Sequence, residues 1–125
     1  MQFKPQIFIR SDGNSIIGLG HLIRCKSIAD FMKNDYHVTF ITKDIPDSFR
    51  IILESDNINY QEINKEEDFF KLISFNALVV LDGYHFNTDY QKQIKSRGAK
   101  LICIDDLHEI EFVADLIINH SPGIK

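Results

Sequence analysis

Nothing in this 125-residue chain is both long enough and apolar enough to cross a bilayer: the longest apolar run, Ala77-Leu78-Val79-Val80-Leu81, is a quarter of the length a spanning helix needs. The opening Met1-Gln2-Phe3-Lys4-Pro5 lacks the apolar core of a secretory signal, so a cytoplasmic protein without a membrane partner is expected. Basic stripes are missing too. The 14 basic side chains are outnumbered by 18 acidic ones, giving a net charge of −4, and they are scattered, which argues against nucleic acid as a partner. Cysteine is scarce. Cys25 and Cys103 form no CxxC pair and each lies in an apolar stretch, so both read as buried, reduced thiols. Metal-ligand spacing is absent: the five histidines and the Asp105-Asp106 pair form no HxH, HxxxH or DxD pattern, and no metal or other cofactor is expected. Internal repeats and low-complexity tracts are also lacking.

What is present is alternation. Gln6 to Ser11, rich in β-formers, stops at the turn formers Asp12-Gly13-Asn14 and reads as a strand. From Leu22 to about Lys33, Cys25, Ile28, Ala29 and Met32 recur at helical spacing. His37 to Ile41 is a second strand, and Asp47 to Ser55 a helix expected to bury Phe49, Ile52 and Leu53. A weaker strand over Tyr60 to Ile63 precedes a helix from Glu66 to Ser74. Ala77 to Leu81, apolar throughout, suits a central strand covered on both faces. A helix from Thr88 to Arg97 ends at Gly98, and strands follow at Lys100 to Ile104 and Leu116 to Ile118. This order predicts an α/β fold, a doubly wound, Rossmann-like parallel sheet with right-handed crossovers. Residues 1–121 form that domain, and the breaker sequence at 122–125 reads as the start of a linker to a further domain.

In such sheets ligands bind beyond the carboxyl ends of the strands, where strand order reverses. The loops after the first, fourth, fifth and sixth strands carry Asp12 through His21, Asp82-Gly83-Tyr84-His85, Asp105-Asp106-Leu107-His108 and Asn119-His120. The turn after the second strand, Thr42-Lys43-Asp44, offers fewer convergent groups. Gly18-Leu19-Gly20 allows a sharp turn and close approach to a ligand, and the helix it opens directs free N–H groups there. A lone GxG equally serves a merely flexible loop. His21 at the helix start faces the cleft, with Arg24 one turn on. A dinucleotide fingerprint fits poorly, because its third glycine would fall at Ile23, and a P-loop, which would need GK[ST] where Gly20-His21 stands, is excluded. Asp82 and Asp105 end buried strands and need partners; structural capping accounts for at least one, while Asp82 or Asp106 could orient His21 or hold sugar hydroxyls.

The runs Arg10-Ser11-Asp12 and Ile17-Gly18-Leu19-Gly20-His21-Leu22-Ile23-Arg24-Cys25 resemble the opening of the UDP-sugar hydrolases of pseudaminic acid biosynthesis. Asp82-Gly83-Tyr84, Ile104-Asp105-Asp106 and Ala114-Asp115-Leu116-Ile117-Ile118-Asn119 resemble that family's later motifs, so the likeness spans nearly the whole chain. It departs at Gly83, where a larger residue is common. The family is related to spore coat polysaccharide biosynthesis proteins and resembles two-domain GT-B glycosyltransferases. The resemblance implies the N-terminal half of a GT-B-type enzyme that adds water at the anomeric carbon of a UDP-linked 2,4-diacetamido-2,4,6-trideoxy sugar, without a metal. It implies His21 as the catalytic base and Asp12, Gly18, Gly20, Arg24, Tyr84 and Asp106 as substrate-binding residues. Most of the UDP would be held by a C-terminal domain that this chain does not include. A GT-B-type glycosyltransferase in surface polysaccharide synthesis is the alternative, and a phosphoacceptor receiver domain fits poorly because Asp12 has no acidic neighbour. Arg10 and Arg24 are the cations that the cleft-lining stretches offer to a phosphate.

Overall fold

A computed structural model of the chain describes residues 4–13, 20–83, 86–105 and 114–119. Strands β1 (Gln6–Ser11), β2 (His37–Thr42), β3 (Asn59–Glu62), β4 (Leu78–Asp82) and β5 (Lys100–Asp105) alternate with helices α1 (Gly20–Met32), α2 (Asp47–Ser55), α3 (Glu66–Leu72) and α4 (Thr88–Ser96), and β6 (Leu116–Asn119) is the next described element after β5. The strands form a 6-stranded sheet in the order β3-β2-β1-β4-β5-β6. Every neighbouring pair is parallel, and from β1 to β5 the strands are joined through helices, as parallel crossovers require. The chain builds outward from β1 through β2 to β3, then returns to start again at β4 on the other side of β1. Strand order therefore reverses between β1 and β4, and all strands deliver their carboxyl ends to one edge.

Period-two alternation along the strands divides the interior into two layers. Ile7, Ile9, Val38, Phe40, Val80 and Ile104 pack with Leu22, Cys25 and Ala29 of α1 and Phe49 and Leu53 of α2. Phe8, Ile41, Val79, Leu81, Leu101 and Cys103 pack with Phe69 and Phe70 of α3 and Ile94 of α4 on the opposite face. Phe40 meets Phe49 edge-on at 5.8 Å, and Phe8 meets Phe69 likewise at 6.5 Å, the geometry that aromatic quadrupoles favour. Both cysteines are buried and reduced, as expected.

Two expectations need correction. Ile52 is 44% exposed, because Phe49 and Leu53 take the buried stripe of α2 and leave Ile52 beside the exposed Ile51. Helix α1 begins at Gly20, two residues before Leu22, so His21 lies inside its first turn rather than at its first position. Elsewhere the ends are built from local signals. Asn87 caps α4 by accepting a hydrogen bond from the Tyr90 backbone N–H at 2.9 Å, and Gly98, at φ 81°, supplies the left-handed residue that ends the same unit. None of the helices in the described residues is long and apolar enough to cross a membrane.

Candidate functional site

β1 and β4 are adjacent, with Ser11 opposite Asp82 in register, so the last residues of both strands lie where strand order reverses. Alternation turns Ser11 and Asp82 toward α1, continuing the rows of Ile7-Ile9 and Val80. Helix α1 answers with His21, Arg24 and Cys25, three residues spaced to share one helix face.

Asp82 is fully buried and collects all three. His21 Nδ1 lies 2.6 Å from Asp82 Oδ1. Arg24 donates from Nε to Oδ2 at 2.5 Å and from a terminal nitrogen to Oδ1 at 2.5 Å, a two-point fork on the carboxylate. The Cys25 thiol donates to Oδ2 at 3.4 Å. Burial alone would raise the Asp82 carboxyl, but the hydrogen bonds from Arg24 and His21 outweigh it and hold the group below the ordinary carboxylate range. The Cys25 thiol is pushed well up, first by burial and then by the Asp82 charge, so it stays protonated and serves as a donor. Ser11 Oγ lies beside this cluster, sealed from solvent.

A carboxylate offers only lone pairs, so the short contact to Asp82 requires the proton of His21 to sit on Nδ1. In the neutral ring the basic lone pair is then on Nε2. The Arg24 terminal nitrogen approaches the same Nδ1 to 2.9 Å, and with Nδ1 protonated this places two donors side by side on one oxygen. The ring is only 8% exposed, so its orientation is set by packing as well as by Asp82.

On the opposite sheet face a second polar cluster closes around Arg10, which is fully buried. Its guanidinium donates to Glu66 at 3.1 and 2.7 Å and to Asp12 at 2.7 Å, and lies 5.2 Å from the centre of the Phe86 ring. Burial works against this cation, but Glu66 and Asp12 more than compensate and raise its proton affinity further. The Tyr90 hydroxyl donates to Glu66 at 2.5 Å. Asp12 Oδ1 additionally accepts from Thr42 Oγ1 at 3.0 Å and from the Lys43 backbone N–H at 2.6 Å.

The structure thus joins His21, Arg24 and Asp82, and sets Asp12 apart from them, on the other face and engaged with Arg10 and β2. Arg10 is an interior cation neutralised by two carboxylates rather than a cleft-lining one, and the turn after β2, expected to contribute little, anchors Asp12. Gly20 opens α1 with open space where a Cβ would stand. Gly18, Tyr84 and Asp106 lie outside the described residues. Ser11 and the thiol of Cys25, read only as strand and core, lie with Asp82; the signal for Ser11 is the strand parity it shares with Asp82, and for Cys25 its place one helical turn after His21. Glu66, Tyr90 and Phe86 carried no local signal for their part around Arg10. Among the described residues no group of histidine, cysteine and carboxylate side chains could hold a metal ion. No family model, no curated protein and no solved structure matches the chain.

Proposed function

We propose that the chain is the catalytic half of a nucleotide-sugar hydrolase, with His21 as general base and Asp82 as the residue that positions it. The observation that carries this reading is the 2.6 Å contact between Asp82 and His21 Nδ1 at the β1/β4 reversal, which orients the ring and leaves the lone pair of the neutral form on Nε2. The GxGHxxR likeness to UDP-sugar hydrolases supplies the substrate class. In the reaction, the oxygen of water attacks the anomeric carbon while its proton passes to His21 Nε2. The bond from that carbon to the diphosphate oxygen breaks, and its electron pair leaves with UDP. A diphosphate is a good leaving group, so one base suffices and no general acid is needed.

The substrate is a UDP-linked diacetamido-trideoxy sugar of the kind used in pseudaminic acid or related surface-sugar synthesis, with a C-terminal domain holding most of the UDP in the cytoplasm. Turnover of that substrate is measured in the protein carrying both domains. His21→Asn should lower it by roughly 10²–10⁴-fold, the usual contribution of a positioned base, with little change in KM. A variant that keeps most of its turnover while melting like the parent sinks the reading. Release of UDP from the donor alone marks a hydrolase, whereas release only after an acceptor is added marks a glycosyltransferase.

A further inference from the structure

The ladder between β1 and β2 ends with Arg10 opposite Ile41, and beyond it the chain leaves β1 for α1 and β2 for α2. The two exits nevertheless stay joined. The Lys43 backbone N–H donates to Asp12 Oδ1 at 2.6 Å and the Gly13 N–H donates to the Asp44 carbonyl at 2.9 Å, so residues 12 and 13 meet 43 and 44 at the same 31-residue offset as Arg10 and Ile41. Thr42 stands at the centre of this extension. It is fully buried, and its hydroxyl has one proton to give. The Asp12 carboxylate, charged and at 3.0 Å nearer than the Asp44 carbonyl at 3.3 Å, takes that proton, which leaves a lone pair to accept from the Asp44 N–H at 3.2 Å. One hydroxyl therefore grips Asp12 after β1 and Asp44 after β2. Arg10 fixes the same Asp12 oxygen at 2.7 Å.

Residues 14–19 connect Gly13 to Gly20, the first residue of α1, and carry Gly18 between them. We propose that Thr42 is a positioning residue for this glycine stretch: by holding the exit of β1 against that of β2, it sets the point from which the chain runs on to Gly18 and Gly20. Those glycines can approach a ligand closely only if their backbone stands in the right place, so a hydroxyl on β2 governs substrate binding without touching the substrate. The inference rests on the reading of Gly18 and Gly20 as substrate-binding. It is separate from the contact that orients His21, which joins α1 to Asp82 of β4.

The test compares Thr42→Val, which keeps the branched shape and removes the hydroxyl, with Thr42→Ser, which keeps the hydroxyl. In the ¹⁵N-labelled chain the Gly13 amide should exchange with solvent roughly tenfold faster in Thr42→Val than in the parent, the scale of one lost hydrogen bond. The amide signals of Gly18 and Gly20 should move with it, while Thr42→Ser stays close to the parent at all three. Unmoved signals at Gly18 and Gly20 in a folded Thr42→Val protein overturn the proposal even where Gly13 exchanges faster, because Thr42 would then only brace two turns. If Thr42→Val does not fold, as judged by its thermal melt, Thr42→Cys, whose thiol is a weak donor and a weak acceptor, decides in the same way. In the protein carrying both domains, Thr42→Val should raise KM for the UDP-sugar roughly three- to tenfold and leave kcat nearly unchanged, a split that a merely stabilising residue would not produce. An unchanged KM also overturns the proposal. The glycine signals are read without turnover, so a parent that hydrolyses no UDP-sugar sinks the hydrolase reading while those signals still decide the placement of the glycine stretch.

Discussion

Asp82 accepts from an imidazole, a guanidinium and a thiol while buried in the sheet, and a carboxylate so enclosed is stable only as long as its donors stay. Asp82→Asn keeps the shape but turns one acceptor oxygen into a donor facing Arg24 and His21. Stability should fall by roughly 2 kcal/mol or more, less than the about 3–5 kcal/mol of a fully sealed pair because Arg24 can turn toward water. Chemical denaturation of both proteins measures this. Turnover should drop as well, because His21 loses the bond that fixes its tautomer. At this scale the sequence was partly legible. His21 stood out because a histidine directly after glycine at a helix start has no packing reason to be there, and Asp82 because an acid ending a wholly apolar strand must find partners. Arg10 was not legible: a cation at a strand end looks like a cleft residue, and only the fold brings up Glu66, 56 positions away, to neutralise it.

At the scale of elements, alternating patterns and breakers marked the strand and helix units, and the limits of α2 agree residue for residue. The spacing of Phe49, Ile52 and Leu53 misled because an amphipathic helix of this length has room for one buried aliphatic flank, and β2 and β3 beneath it are filled by Phe49 and Leu53. The α4–β5 connection shows how tightly such a joint can be specified. Gly98 has φ 81°, its carbonyl accepts from the Asn76 N–H at 3.0 Å, and a Cβ there would come 2.3 Å from the Phe75 ring. Gly98→Ala must therefore strain the backbone and displace Phe75, whose exposure lets it swing away. The expected cost is about 1–2 kcal/mol, read as a lower Tm, with the fold itself intact by circular dichroism.

For the whole molecule, the two buried polar clusters make stability depend on acid. Asp82 and Glu66 both have folded-state values below their ordinary ones; burial opposes this in each case, and Arg24 with His21, or Arg10 with Tyr90, prevails. A carboxyl lowered on folding contributes its stability above its unfolded value, near pH 4 to 4.5, and loses it as pH falls through the lower folded value. Stability from urea titrations should therefore show no contribution from either carboxyl to any change between pH 5 and 7, then decline below about pH 4.5, and Asp82→Asn should flatten part of that decline. Charge also bears on ligands. Arg10 is enclosed by Glu66 and Asp12 and Arg24 is forked on Asp82, so calorimetry should find UDP bound to this chain weakly or not at all; a low-micromolar dissociation constant would contradict the assignment of UDP to a second domain. The parity of β1 has a last consequence, for how the chain avoids folding wrongly. Ser11 faces α1 while Arg10 and Asp12 face α3 and α4, so sliding β1 by one position against β4 would thrust the guanidinium among Leu22 and Cys25 and take from Glu66 the cation it holds at 2.7 Å. A slipped sheet of aliphatic residues alone would differ little in energy from the correct one, whereas here it would carry a buried cation away from Glu66. Arg10 thus serves as a proofreader of strand alignment, and Arg10→Leu is expected to leave more of the refolding chain in off-register traps.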